Sequence, residues 1–216
     1  MLLTDSEISE MRAMGDQANI EVNLFLGPRA RFDIGAQAVS AAGKALSLSM
    51  RGADQILQGL MDVRRAVRLG IRSVLVSDLG MLQVISRLRG VGELPEDLII
   101  KTSVMMAPAN PVSARLLEDL GAAGIRGVLT VPIDFYVEAP DNIGGFVRYY
   151  EIPELIRVAA PIYLKFGLRN SPDVYPSGTH LENTVIALSR ERVRRAQIAM
   201  EMIRANAPDA VMSPVG

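Results

Sequence analysis

Apolar residues recur at the spacing of an α-helix in six segments of the chain. In segment 53–70, for example, Ile56, Leu60, Val63 and Val67 lie on one helical face, and Gly70 follows as a stop signal. Capping residues, early prolines and terminal glycines bound several of the others. The pattern predicts helices over residues 4–18, 53–70, 80–92, 110–121, 152–160 and 180–208.

Short apolar runs lie between these helices and predict strands. They cover residues 19–27, 72–80, 97–106, 133–140, 161–170 and, with a weaker signal, 44–50. Because strands and helices alternate, we expect an α/β protein with a mainly parallel sheet. Residues 125–130 are also apolar, but parallel neighbours need a long crossover and only Pro132 separates this run from the next strand. We therefore assign Ile125 to Thr130 to the end of a helix.

Each predicted strand has one apolar and one polar side. In segment 19–27, Val22 and Leu24 alternate with Glu21 and Asn23. A sheet covered by helices on both sides would show nearly continuous apolar strands. The alternation therefore favours a TIM-barrel-like parallel sheet, with outer helices and a polar interior. An ordinary α/β sheet with one exposed polar side is the alternative.

The predicted barrel is incomplete, because six strands are recognisable and a complete barrel has eight. A fragment, a shortened variant, an open barrel and half of a dimeric assembly all fit this shortfall. No linker or low-complexity segment divides the sequence, so we expect a single domain over residues 1–216.

Composition removes several classes of function. The 216 residues contain no cysteine, which excludes disulfides, thiolate zinc sites, cysteine-ligated iron–sulfur clusters and a cysteine nucleophile. The net charge of −1 predicts no nucleic-acid partner and no basic membrane surface. No apolar run reaches the roughly 20 residues that span a bilayer. The start, MLLTDSEISEMRAMG, turns polar after three residues, unlike a signal peptide, so we expect a cytoplasmic protein.

Lysines within two predicted strands mark the candidate site. A charge in an apolar strand is costly unless it is paired or used, and both Lys101 and Lys165 stand in such strands. We assign catalysis to Lys165, Lys101 and Glu138. Substrate binding is assigned to Glu21, Asn23, Asp134, Tyr136, Arg169, Asn170 and His180.

Three interpretations of these residues stay open. The lysines and acids could form a satisfied polar core, bind a substrate carboxylate, or supply a Schiff-base lysine. Glu138 could instead act as general acid or base with His180 or Tyr136. A divalent metal could bind oxygen ligands and one histidine, against the simpler interpretation that His180 caps the last helix. The four ligands of that metal site would be Glu138, Asp141, His180 and Glu182.

One part of the chain resembles the collagenase-like peptidase family of TIM-barrel proteins. The resembling motifs are GIRSVLVSDLGMLQVI, which contains a D-x-G-x-L turn, and NPVSARLLEDLGAAGI, which ends a helix at L-x-x-L-G; together they span residues 70–125. The resemblance implies a barrel and a hydrolase. The family's cysteine-rich signature is missing, so its iron–sulfur chemistry does not transfer.

These observations predict an enzyme, a hydrolase or lyase, that acts on a small polar or anionic substrate at the carboxyl ends of the strands. The alternative is a non-catalytic degenerate barrel that binds a ligand or supports assembly. The expected partners are a small molecule and a second copy of the chain.

Overall fold

Helices and strands alternate along the chain in the computed structural model. It describes residues 3–28, 49–103, 106, 111–121, 128–133, 149–159, 162–166, 168, 171–172, 174 and 178–212. The chain divides into two compact units, of which the first ends at Leu129 and the second begins at Thr130. Whether they fold together as a single domain stays a prediction.

The first unit contains four helices and three complete strands among the described residues. In chain order its elements are α1 (Asp5–Ala18), β1 (Asn23–Phe25), α2 (Gly52–Arg68), β2 (Ser73–Val76), α3 (Leu79–Gly90), β3 (Ile99–Thr102) and α4 (Pro111–Gly121). The unit boundary then falls inside β4 (Val128–Ile133). The sequence predictions of these four helices are confirmed to within two residues at either end.

Local capping explains where the first helix begins. Thr4 accepts a hydrogen bond from the Glu7 backbone N–H at 3.2 Å, and the Glu7 side chain accepts one from the Thr4 backbone N–H at 2.6 Å. This reciprocal capping box satisfies two backbone groups that a helix start leaves open. The hydrogen bond from the Thr4 backbone also lowers the pKa of Glu7.

The second unit packs two helices and a strand around a small core. Its elements are α5 (Ile152–Ala159), β5 (Ile162–Phe166) and α6 (Glu182–Asn206), with 3-10 turns at Tyr149–Glu151 and Thr179–Leu181. Tyr149, Ile152, Ala199 and Ile203 are buried together, and the rings of Tyr149 and Phe166 lie 6.3 Å apart. The helices predicted over 152–160 and 180–208 are confirmed, and of the strand predicted over 161–170 the structure shows Ile162–Phe166.

Parallel pairing joins the strands of the first unit. β1 pairs with β2, and β2 with β3, which sets Asn23, Ser73 and Ile99 in one row across the sheet. β4 joins β3 through two residues, Val128 and Leu129. Within the first unit the strand order is β1-β2-β3-β4.

The prediction of a TIM-barrel-like fold is therefore wrong. Three short parallel strands are paired along their length, and among the described strands the sheet has two ends instead of closing. Among the described residues, the polar alternate positions that suggested a barrel interior include Glu21, which contacts Lys101, and Asn23, which contacts Ser73. The alternation of polar and apolar residues along a strand determines which residues share a side of the sheet, but it does not determine whether the sheet closes into a barrel.

The end of β4 corrects a second prediction. Residues 125–130 were expected to end a helix, yet Val128 to Thr130 lie in a strand that continues through Pro132. Pro132 lies beyond the two residues that pair with β3, so its missing N–H interrupts no pairing between these strands. Of the strand predicted over 133–140, only Ile133 lies within the described residues, and most of the weaker strand at 44–50 lies outside them.

The core of the first unit lies between one side of the sheet and its helices. We call this side the apolar face; it consists of Leu24, Leu26, Val74, Val76 and Ile100. Ile8 of α1, Val63 of α2, Ile85 of α3 and Leu117 of α4 belong to the same buried cluster. All four helices of the unit therefore cover one side of the sheet.

Candidate functional site

The opposite side of the sheet is partly buried, although it carries polar groups. We call it the polar face; the register and the strand alternation assign to it Glu21, Asn23, Phe25, Ser73, Leu75, Ile99, Lys101 and Ser103. Ser73 is fully buried, and Lys101 and Ser103 are 7% and 4% exposed. None of these residues belongs to the buried cluster beneath the helices. Buried polar side chains away from the helix-covered core are where a functional site is expected.

An ion pair is the central feature of the polar face. Lys101 Nζ lies 2.6 Å from Glu21 Oε1, and the two side chains are only 9% and 12% exposed. Removing two charges from water costs several kcal/mol per ion, on the order of the attraction the pair regains. The pair is therefore poorly explained by stability alone, which makes Lys101 and Glu21 candidates for a functional role.

The chemistry of the pair suits an ammonium group better than a free amine. At 2.6 Å from Glu21 Oε1, the Lys101 ammonium forms an ion pair with the carboxylate. Schiff-base formation needs the neutral amine, so this interaction would have to be given up first. Of the roles predicted for Lys101, the binding of an anionic group agrees best with the geometry.

A hydrogen bond next to the pair orders the start of the polar face. The Asn23 side-chain amide donates to Ser73 Oγ in the adjacent position of β2. The contact satisfies a hydroxyl that is fully buried. Asn23 is thereby held with its amide directed along the sheet.

The structure describes only some of the other predicted site residues. Lys165 lies in β5, while His180 is exposed in the 3-10 turn before α6. Five predicted residues lie outside the described residues: Asp134, Tyr136, Glu138, Arg169 and Asn170. The structure thus brings Lys101 and Glu21 together and places Asn23 on the same face; a pairing of Lys165 with Glu138 stays a prediction.

The loop residue Asp78 has a structural explanation. Its Oδ1 accepts from the Met81 backbone N–H at 2.8 Å, which caps α3, and its Oδ2 accepts from the Met50 backbone N–H at 3.0 Å. Asp78 and Gly80 begin the D-x-G-x-L turn that carries the family resemblance. A helix cap therefore accounts for the acid of that motif.

Sequence reasoning did not assign Ser73 or Ser103 to the site. Both alternate with apolar residues in their segments, but a buried hydroxyl is less costly than a buried charge and is therefore a weaker signal in the sequence. Burial in the structure reveals them.

The described residues contain neither a metal-binding cluster nor a membrane-spanning helix. Among the described residues, no group of three or more His, Cys, Asp or Glu side chains could hold a metal ion. Glu138 and Asp141 of the predicted metal site lie outside that part. No helix within the described ranges is long and apolar enough to span a membrane.

Comparisons with known proteins complete the description of the site. No family model, curated protein or solved structure matches this chain. The resemblance to collagenase-like peptidases stays a prediction based on the motifs at residues 70–125.

Proposed function

We propose that the polar face binds a small polar or anionic molecule, and that Lys101 holds its anionic group. The observation that carries this proposal is the buried Lys101–Glu21 pair. A buried cation is costly for stability, so a role in binding would explain why the sheet contains one. Lys101 stands next to the last residue of β3, and parallel α/β sheets bind their ligands at the carboxyl ends of strands.

Hydrolysis or elimination is the chemistry that this pair would serve best. A buried ammonium stabilises negative charge that develops on a substrate oxygen. A ligand anion that pairs with Lys101 would release Glu21, whose carboxylate could then accept or return a proton. Lys165 and Glu138 complete the proposed catalytic set, and Asp134, Tyr136, Arg169, Asn170 and His180 the proposed binding set.

A non-catalytic ligand-binding module is the second candidate. The observation that favours it is that Lys101 and Glu21 already form an ion pair at 2.6 Å, as the charges of a structural polar core would. In that case binding persists but no product forms. A cytoplasmic location is proposed with either candidate, supported by the absence of cysteine.

The decisive experiment replaces the whole pair with apolar groups of similar length. Exchanging a buried ion pair for apolar side chains often leaves stability unchanged, so the double variant Glu21→Met/Lys101→Met should fold. Binding of small carboxylates and phosphates is measured by calorimetry, and turnover is followed by mass spectrometry on esters, amides and 2-oxo acids. We expect the double variant to lose binding and turnover. Full retention of both would disprove the role of the pair.

Matched variants separate the two candidates. Arg64→Gln is the control, because Arg64 forms an exposed ion pair with Glu93 at 2.9 Å away from the polar face. Lys165→Ala and Glu138→Gln test the remaining catalytic residues. If the wild type binds a ligand but converts none of the panel, the binding module is favoured; product formation that is lost with Lys165→Ala favours the enzyme.

A further inference from the structure

A cavity opens at the amino ends of β1 and β2. Its volume is about 290 Å³, and it is lined by Arg12 and Asp16 of α1 together with residues 20–22 and 70–72. Ligand pockets usually enclose about 300–1,000 Å³, so this cavity suits a molecule of few non-hydrogen atoms. Lys101 does not line it, although Glu21 does.

Two arginines supply most of the hydrogen-bonding capacity of the wall. Arg12 lies 3.4 Å from Asp16, and Arg72 lies 3.9 Å from Asp97, both on exposed side chains. Those separations are longer than a good charge-assisted hydrogen bond, so most of the donors on each guanidinium remain available. Guanidinium donors fit the oxygen atoms of carboxylates and phosphates, often in pairs.

The charge of the wall favours an anion. Glu21 is paired with Lys101 at 2.6 Å, so Asp16 is the further carboxylate of the wall that faces the two guanidinium groups, while Asp97, outside the wall, lies 3.9 Å from Arg72. The two guanidinium groups therefore outnumber the remaining carboxylate of the wall in a partly enclosed space, where screening by solvent is weaker than on an open surface.

Gly70 shapes the same wall. Its φ of +80° is a conformation that side chains rarely adopt, and a Cβ there would lie 2.7 Å from Arg12 Nη1. The missing side chain lets the guanidinium lie directly against the turn that leads into β2. Arg12 and Arg72 both line this cavity.

We propose that this cavity binds a small oxyanion, a phosphate or carboxylate group, between Arg12 and Arg72. The site is separate from the proposed function: it needs Lys101 only to neutralise Glu21, and it requires no turnover.

Titration of the full chain tests the proposal. Inorganic phosphate and malonate are added separately at constant ionic strength maintained with chloride, and binding is followed by amide chemical shifts and calorimetry. We expect saturable shifts centred on residues 20–22 and 70–72. The anion that binds more tightly identifies the phosphate or the carboxylate as the preferred group.

Variants assign the binding to the two arginines. Arg12→Gln and Arg72→Gln should each weaken binding about tenfold or more, as expected for the loss of a charge-assisted contact. Arg12→Lys should fall in between, because it keeps the charge but not the planar donors. Arg64→Gln, outside the cavity, should bind like the wild type. Circular dichroism confirms that each variant is folded.

Two results would overturn the proposal. One is the absence of any saturable shift with both anions beyond the effect of chloride. The other is saturable binding that survives both Arg12→Gln and Arg72→Gln in folded protein.

Discussion

The two sides of the sheet in the first unit both contain buried side chains, but they are built by different physical means. The apolar face lies under α1 to α4 and contributes five side chains to a continuous hydrophobic cluster. The polar face pairs Glu21 with Lys101 and Asn23 with Ser73. Burial is thus favourable by itself on one face, whereas on the other it depends on matched partners.

That difference teaches how a substitution should act on each face. On the apolar face, the cost follows the volume removed, and single changes have independent effects. On the polar face, the cost depends on whether the partner is left behind, so single and double changes should be strongly non-additive.

The largest effect is expected from breaking the ion pair. Glu21→Met leaves the buried Lys101 without this carboxylate and should lower the free energy of unfolding by about 3–5 kcal/mol. Glu21→Met/Lys101→Met should recover most of that loss, because no charge then remains in the buried position. Urea unfolding of the two single variants and the double variant measures the coupling. Additive losses in this cycle would contradict the contrast between the faces.

Adjacent residues of β3 compare the two faces directly. Ile100, on the apolar face, is 2% exposed within the hydrophobic cluster, and Ile99 is 7% exposed on the polar face. Ile100→Ala should cost about 2–5 kcal/mol through lost burial and a residual cavity. Ile99→Ala should cost less, since its side chain lies outside that cluster. Equal losses in urea unfolding would show that both faces pack equally tightly around β3.

Most of the helices could be predicted from the sequence because their signals are local. The capping box at Thr4 and Glu7 and the glycine near the end of α2 need no distant partner. Strand parity is also local, and it placed Glu21 and Lys101 on one face. The choice between partners is not local, so the sequence could not tell whether Lys101 would meet Glu21, Asp134 or Glu138. Closure of the sheet depends on the number of strands and on their stagger, and the alternation of side chains along a single strand gives no information about either.

Asp78, the acid of the D-x-G-x-L turn, should stabilise the protein by capping α3. Asp78→Ala removes acceptors for two backbone N–H groups and should cost about 1–2 kcal/mol of stability. Asp78→Asn should cost less, because asparagine is also a good cap but keeps only one acceptor oxygen. Thermal unfolding of both variants provides the comparison. If Asp78→Asn is as unstable as Asp78→Ala, capping does not explain this residue.

The smallest effect concerns an exposed ion-pair cluster, which contrasts with the buried pair. Asp5 of α1 lies 2.6 Å from Arg65 Nε and 3.0 Å from Arg68 Nη2 of α2. The hydrogen bond from Arg65, together with the charges of both arginines, lowers the pKa of Asp5 from its ordinary value of 3.8. Because the folded-state pKa is the lower one, the contribution is present above pH 3.8 and is lost as the pH falls below it. The urea midpoint of the wild type should fall as the pH drops below 3.8, and in Asp5→Asn this fall should be slightly smaller. At pH 7 the substitution should change the midpoint little, since exposed ion pairs contribute little to stability. In an Arg65→Gln/Arg68→Gln background the difference below pH 3.8 should disappear, and its persistence there would place its origin outside this cluster.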